Sequence, residues 1–171
     1  MLTRNILLQV PLLLVLAQSS ALSGAAQERQ PCFTLASIKG TYSVVGTYGA
    51  NIAIALAKRY VDDAGNLTGT FLVNEPASGS TTGARTLVTG TQAGTVSVNC
   101  DGTGVVTRVL TVAGVQTVQM DDFLITEAKF KDGELIATII TDAQRTPSTI
   151  VPGGVFLRRT WTRVSEEHSD R

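Results

Sequence analysis

The chain has 171 residues, with 14 basic against 14 acidic side chains and one histidine, so it carries no net charge at neutral pH. No basic run or arginine-rich helical pattern occurs, which argues against nucleic acid and anionic membrane surfaces as partners. Abundant Thr, Val, Gly and Ala with little Leu-Glu-Lys patterning favours strands and turns over helices.

In chain order, Arg4 is followed by the uncharged run Ile6 to Ala17 and then by the small residues SSALSGAA. This is the order of a secretory signal peptide, with cleavage expected after Ala25 or Ala26. The apolar run is short for a membrane span and has no basic stop-transfer flank. Residues 1–26 therefore read as a signal, 27–39 as an N-terminal segment, 40–164 as the folded domain and 165–171 as a polar tail. The expected location is secreted or periplasmic, with no stable membrane span after cleavage.

Alternation and turn punctuation then predict a series of short strands. GTYSVVGTYG places Tyr42, Val44 and Tyr48 on one face. ANIAIALAKRYV alternates Ile52, Ile54 and Leu56 with Ala53, Ala55 and Ala57, although its Ala, Leu, Lys and Arg would also suit a helix. DDAGN supplies a turn, and LTGTFLVN returns with Leu67, Gly69, Phe71 and Val73 on one face. EPASGSTTG is a loop by composition. ARTLVTGTQAGTVSVN follows, with Gly90 or Gly94 as expected bulge or bend points. CDGTG turns into VVTRVLTVA, AGVQ turns again, and TVQMDDFLITEAKF sets Phe123 and Ile125 on one face. KDGE is an Asp-Gly hairpin turn, after which ELIATIITD pairs back. A Pro- and Gly-rich loop precedes the last strand, VFLRRTWTR.

Seven or eight antiparallel strands with no convincing helix must close on themselves or stack as two sheets to hide their edges. The expectation is an all-β domain, a single antiparallel β-barrel of about eight strands, with a β-sandwich as the alternative. GTYSVVGTYG, DDAGNLTGTFLVN and GTVSVNCDGTGVV together resemble secreted bacterial domains described as allene oxide cyclase barrel-like. In those domains G-x-Y, D-x-x-G-N-x-x-G and V-N-x-D-G-T-G recur in this order. The resemblance spans Gly40 to about Arg163 and implies an eight-stranded barrel distantly like plant allene oxide cyclases and dirigent proteins, which shape a reactive hydrophobic molecule inside the barrel. No catalytic motif of theirs matches this chain, so no catalytic residue is carried over.

Cys100 sits in a turn with Cys32 as the only other cysteine. A thiolate nucleophile needs a base or positive neighbour, and the only histidine is His168 in the tail. A zinc site wants three or four N or S ligands, and none stand at motif spacing. Two cysteines in an exported domain read as a Cys32–Cys100 disulfide that staples the N-terminal segment to one end of the barrel. Asn99 with Asp101, and Asp62 with Asp63 and Asn66, read as turn chemistry rather than calcium loops. Asn66-Leu67-Thr68 is a glycosylation sequon if the source has an endoplasmic reticulum. No metal or cofactor motif is found.

Asp121 and Asp122 fall at an expected strand start. Glu127 is in phase with Phe123 and Ile125 and is the one acid expected to face inward, unless a bulge flips the register. Arg85, Arg108, Arg158 and Arg159 read as exposed strand residues. The first functional reading is a barrel holding a small apolar ligand, lined by Tyr42, Ile54, Leu56, Phe71, Val73, Val98, Phe123, Ile125 and Glu127. The second is a cyclase or isomerase acting by shape in the same cavity, with Tyr42 and Glu127 as its polar groups. The third is an interaction or envelope-associated structural protein using the loops Glu75 to Gly83 and Thr146 to Gly154.

Overall fold

In the computed structural model, which describes residues 31–48, 53–146 and 157–164, the alternating segments all become strands. They are β1 (Gly40–Tyr48), β2 (Ala53–Val61), β3 (Asn66–Pro76), β4 (Arg85–Val98), β5 (Thr103–Val112), β6 (Val115–Lys131), β7 (Glu134–Gln144) and β8 (Leu157–Arg163). Each pairs antiparallel with the next, and β8 pairs back with β1, so eight strands form one closed barrel rather than a sandwich. Among the described residues the only helix is the single turn α1 (Leu35–Ile38). ANIAIALAKRYV, which composition left open to helix, is strand from Ala53 on, because both of its edges find partners in β1 and β3.

The turns work as their residues suggest. Asp62 Oδ1 accepts hydrogen bonds from the backbone of Ala64 (2.9 Å) and Asn66 (2.8 Å), closing β2 onto β3. Asp132 and Gly133 both take positive φ (53° and 85°), the geometry of a tight hairpin turn. Gly90 and Gly94 do not mark bulges: the β3–β4 and β4–β5 registers run through them without a break. They are close-approach positions instead. A Cβ on Gly90 would collide with the Phe71 ring, and one on Gly46 with the Arg159 stem. The register shifts lie between β6 and β7, at Ile125, Glu127 and Ala128.

The two ends of the barrel differ. At one end Cys32 and Cys100 form a disulfide, with Cα atoms 4.5 Å apart. Phe33 N donates to Cys100 O (3.2 Å), Phe33 packs near Gly102, and Leu35 packs near Gly65. Ile38 is buried over a core that includes Tyr42, Val61, Leu67, Val106, Phe123, Ile140 and Trp161. Tyr42 Oη donates to Ile38 O (3.0 Å), and Arg163 ties the segment down through Ser37 O, Lys39 O and Tyr42 Oη. This end is plugged. The other end carries a second apolar cluster of Ala53, Ala55, Phe71, Val73, Leu110 and Leu157. Residues 1–30, 49–52, 147–156 and 165–171 lie outside the described residues, and with them the expected signal segment, His168, the polar tail and most of the loop Thr146 to Gly154.

The disulfide spans a sequence separation of 68 residues. The chain-entropy model gives about 4 kcal/mol for closing a loop of that size. Urea unfolding with and without reductant is expected to show a loss of about 2–4 kcal/mol on reduction. Superimposable curves would contradict the staple.

Candidate functional site

Strand alternation sends every second side chain inward, and at mid-height six strands send in polar ones. β2 contributes Arg59, β4 Gln92, β5 Arg108, β6 Gln119 and Asp121, β7 Asp142 and Gln144, and β8 Arg159, all buried. The remaining strands leave room. Gly69 of β3 pairs with Arg59 on one side and Gln92 on the other, and Gly46 of β1 pairs with Arg159.

Asp142 is the hub. Its carboxylate accepts from Arg159 Nε (2.7 and 3.0 Å), Arg59 Nη1 (3.1 Å) and Trp161 Nε1 (2.6 Å). Asp121 accepts from Arg108 Nε (2.8 Å), and Arg159 Nη2 lies 2.5 Å from its Oδ1. That contact is an ion pair but misses hydrogen-bond alignment, which leaves Nη2 of Arg159 without a hydrogen bond. Gln92 Oε1 accepts from both Arg59 Nε and Arg108 Nη1 (3.1 Å each). Gln119 accepts from Arg108 Nη2 (2.9 Å) and Gln144 Nε2 (2.7 Å), and Gln144 in turn accepts the Leu157 backbone N–H (2.8 Å). Arg59 also lies over the Trp161 ring, 4.1 Å from its centroid.

The charges do not balance. Among the described residues the layer holds three guanidiniums and two carboxylates, and Arg59 Nη2 is buried with no hydrogen-bond partner. Burial, and next the neighbouring Arg108 and Arg159, push the Arg59 guanidinium well below its ordinary range, against the pull of Asp142 and Asp121. Arg159 is buried too, yet Asp142 and Asp121 outweigh the desolvation and raise it. Burial pushes the Asp142 carboxyl up, but Arg159, Arg59 and the hydrogen bonds from Arg159 and Trp161 hold it below the usual carboxylate value. The surplus positive charge therefore falls on Arg59.

Above this layer, toward the end away from the disulfide, lies a cavity of about 30 Å³. That is room for about two waters or one small functional group. Arg59, Arg108, Gln119 and Arg159 form its polar floor. Ala55 and Ala57 of β2, Phe71 and Val73 of β3, and Val44, Leu110 and Leu157 form its walls. Glu75 is also buried on the inward side of β3, where burial raises its carboxyl and Arg85 lowers it.

Of the residues expected to line an interior, Phe71 and Val73 do line this cavity. Tyr42, Phe123 and Ile125 are buried, but in the plugged half, and Val98 is partly buried against the same cluster. Ile54 and Leu56 point outward, 48% and 50% exposed. The reason is pairing: Ala55 faces Val73 and Ala57 faces Phe71 across the β2–β3 ladder, so the bulky partner fills the interior and β2 turns its small face to it. Glu127 is exposed, as is every residue of β6 from Thr126 to Lys131, past the register shifts that follow Ile125. Arg85 and Arg158 are exposed as expected, whereas Arg108 and Arg159 are in the buried layer. Asp121 and Asp122 lie within β6 rather than at its start. Asp121 faces in, and Asp122 faces out to pair with Arg145 (2.6 Å). Asp62 and Asp101 accept hydrogen bonds from their own turns. Among the described residues no cluster of His, Cys, Asp and Glu could hold a metal ion.

The signal for the missed residues was phase. Arg59 is in step with Ala55 and Val61, Arg108 with Val106 and Leu110, Arg159 with Leu157 and Trp161, and Asp121 with Phe123.

No family model, curated protein or solved structure matches the chain. The likeness to allene oxide cyclase barrel-like domains therefore rests on the motifs alone. The disulfide fits an oxidising, extracytoplasmic environment.

Breaking a buried ion pair by removing one partner costs about 3–5 kcal/mol, and Asp142→Asn is expected to lose about that much at neutral pH. The Asp142 carboxyl titrates lower in the fold than its unfolded value near 3.9. Its contribution is thus complete above that value and is lost as pH falls through the lower folded one. Acid unfolding followed by Trp161 emission should flatten in the variant. An unchanged midpoint and acid profile would show that Asp142 is not the hub.

Proposed function

We propose that this is a secreted or periplasmic barrel that takes a small, partly apolar molecule into the half of its interior away from the disulfide. The observation that supports it is the cavity, with alanine and aliphatic walls over a polar floor. Ligand sites are typically apolar concavities with a few convergent polar groups, and this one has that form in miniature. Its volume suits the leading group of a guest, with the aliphatic walls to receive the hydrocarbon that follows. The motif resemblance, which implies a barrel that encloses a hydrophobic molecule, points the same way.

The cyclase or isomerase reading has less support. Tyr42 lies in the plugged half, its phenol pushed up to about 12 by burial against the opposing pull of Arg163, so it stays protonated. Glu127 is outside the barrel. The interaction reading draws on the outer face, where Val45, Ile54 and Leu56 stand half exposed, but nothing on that face specifies a partner.

Calorimetric titration with a six-carbon panel of acid, alcohol and methyl ester is expected to show binding of at least one member. Ala55→Leu should fill the cavity and abolish it, at an overpacking cost of about 1–3 kcal/mol. If no member binds, or if Ala55→Leu binds like the wild type, the guest does not occupy this half of the barrel.

A further inference from the structure

Arginine cannot shed its proton in a protein, so a buried guanidinium in excess of carboxylates keeps its charge and needs a counter-charge. Arg59 Nη2 is in that position: buried, without a hydrogen-bond partner among the described residues, and on a side chain that lines the cavity floor. Among the described residues no third carboxylate acts on Arg59. The acids acting on Arg59 are Asp142 and Asp121, both already engaged, while the charge acting on the buried Glu75 carboxyl is Arg85, whose guanidinium donates to Asn74.

We propose that the guest is a short-chain carboxylate whose head group docks on Arg59 Nη2, between the flanking Arg108 and Arg159, with its hydrocarbon against Ala55, Phe71, Leu110 and Leu157. This rests on the reading that a guest occupies this half of the barrel. Three features select the class. A single surplus positive charge matches a monoanion, whereas a dianionic phosphate would overshoot it. Arg59 Nε and Nη1 are already engaged by Gln92 and Asp142, so the open Nη2 meets one carboxylate oxygen in a charge-assisted hydrogen bond. The space of about 30 Å³ admits a group of that size, and the apolar walls above it reward a hydrocarbon tail rather than a bare ion.

The test compares hexanoate with 1-hexanol and methyl hexanoate by calorimetry, on the full chain with its disulfide formed, in buffers of low and high chloride. Hexanoate is expected to bind at least tenfold more tightly than either neutral analogue, and chloride is expected not to displace it. Equal binding of all three would overturn the carboxylate assignment while leaving the guest reading intact, and binding of none would overturn the guest reading itself. Displacement by chloride would mean a simple anion site with no preference for a hydrocarbon tail, which also overturns the proposal. Arg59→Met removes the surplus charge while Arg159 and Trp161 still hold Asp142. It should erase the difference between hexanoate and hexanol, and a folded Arg59→Met protein that still prefers hexanoate would overturn the role of Arg59. The wild-type comparison decides the matter even if the variant does not fold.

Discussion

The contact on which the rest of the barrel depends is the carboxylate of Asp142, held between Arg59, Arg159 and the Trp161 indole. These residues come from β7, β2 and β8, and Arg108 with Asp121 adds β5 and β6. Each buried ion carries a desolvation cost of several kcal/mol, recovered only when its partners stand in good geometry. That geometry exists only in the closed barrel, where β8 returns to β1 and brings Arg159 level with Asp142. The layer therefore penalises wrong arrangements more than it rewards the right one. A slip of one residue in β2 would turn Arg59 outward, move Lys58 or Tyr60 inward and leave Asp142 short of a donor.

The same layer dictates where small residues must go. Eight strands enclose an interior that side chains can fill, so each large inward group needs a gap beside it. Arg159 lies against Gly46, Phe71 against Gly90 and Phe123 against Gly104. Gly69 and Gly94 let backbone approach closely next to Arg59 and Arg108. The glycines thus serve volume rather than bends, and the barrel is nearly full where they stand. Among the described residues, space survives where Ala55 and Ala57 face inward together above the arginines.

The architecture was legible in the sequence because alternation and turn residues act locally. Asp132-Gly133 and Asp62 through Asn66 make the turns that their chemistry favours, and two lone cysteines pair. The interior was less legible for two reasons. Hydrophobicity suggested that the larger apolar residues of β2 face in, yet Ile54 and Leu56 face out because Phe71 and Val73 already occupy that space from β3. Charge suggested that Arg108 and Arg159 face water, because a lone arginine costs too much to bury. The compensation comes from Asp121 and Asp142, one of them thirteen and the other seventeen residues away in sequence from its arginine. Only the three-dimensional pairing shows that. Glu127 failed differently: the alternation of buried and exposed residues in β6 ends at Ile125, where the register with β7 shifts, and both faces are exposed beyond it.

Stability accounts for two of the three buried arginines and not for the third. Arg108 and Arg159 each answer a carboxylate. Asp142 would still have Arg159 and Trp161 if Arg59 were absent, and buried ion triads can often be replaced by apolar residues of similar volume without loss of stability. A methionine at position 59 would fill the same space with no surplus charge. Arg59 instead adds a guanidinium with one open donor at the floor of a cavity whose walls are otherwise aliphatic or aromatic. In the plugged half Arg163 also meets no carboxylate, but it is only partly buried and its donors are taken by Ala137 O, Lys39 O, Ser37 O and Tyr42 Oη. A fully buried guanidinium with an open donor beside free volume is what the proposed binding site requires, and it is what a purely structural core would eliminate.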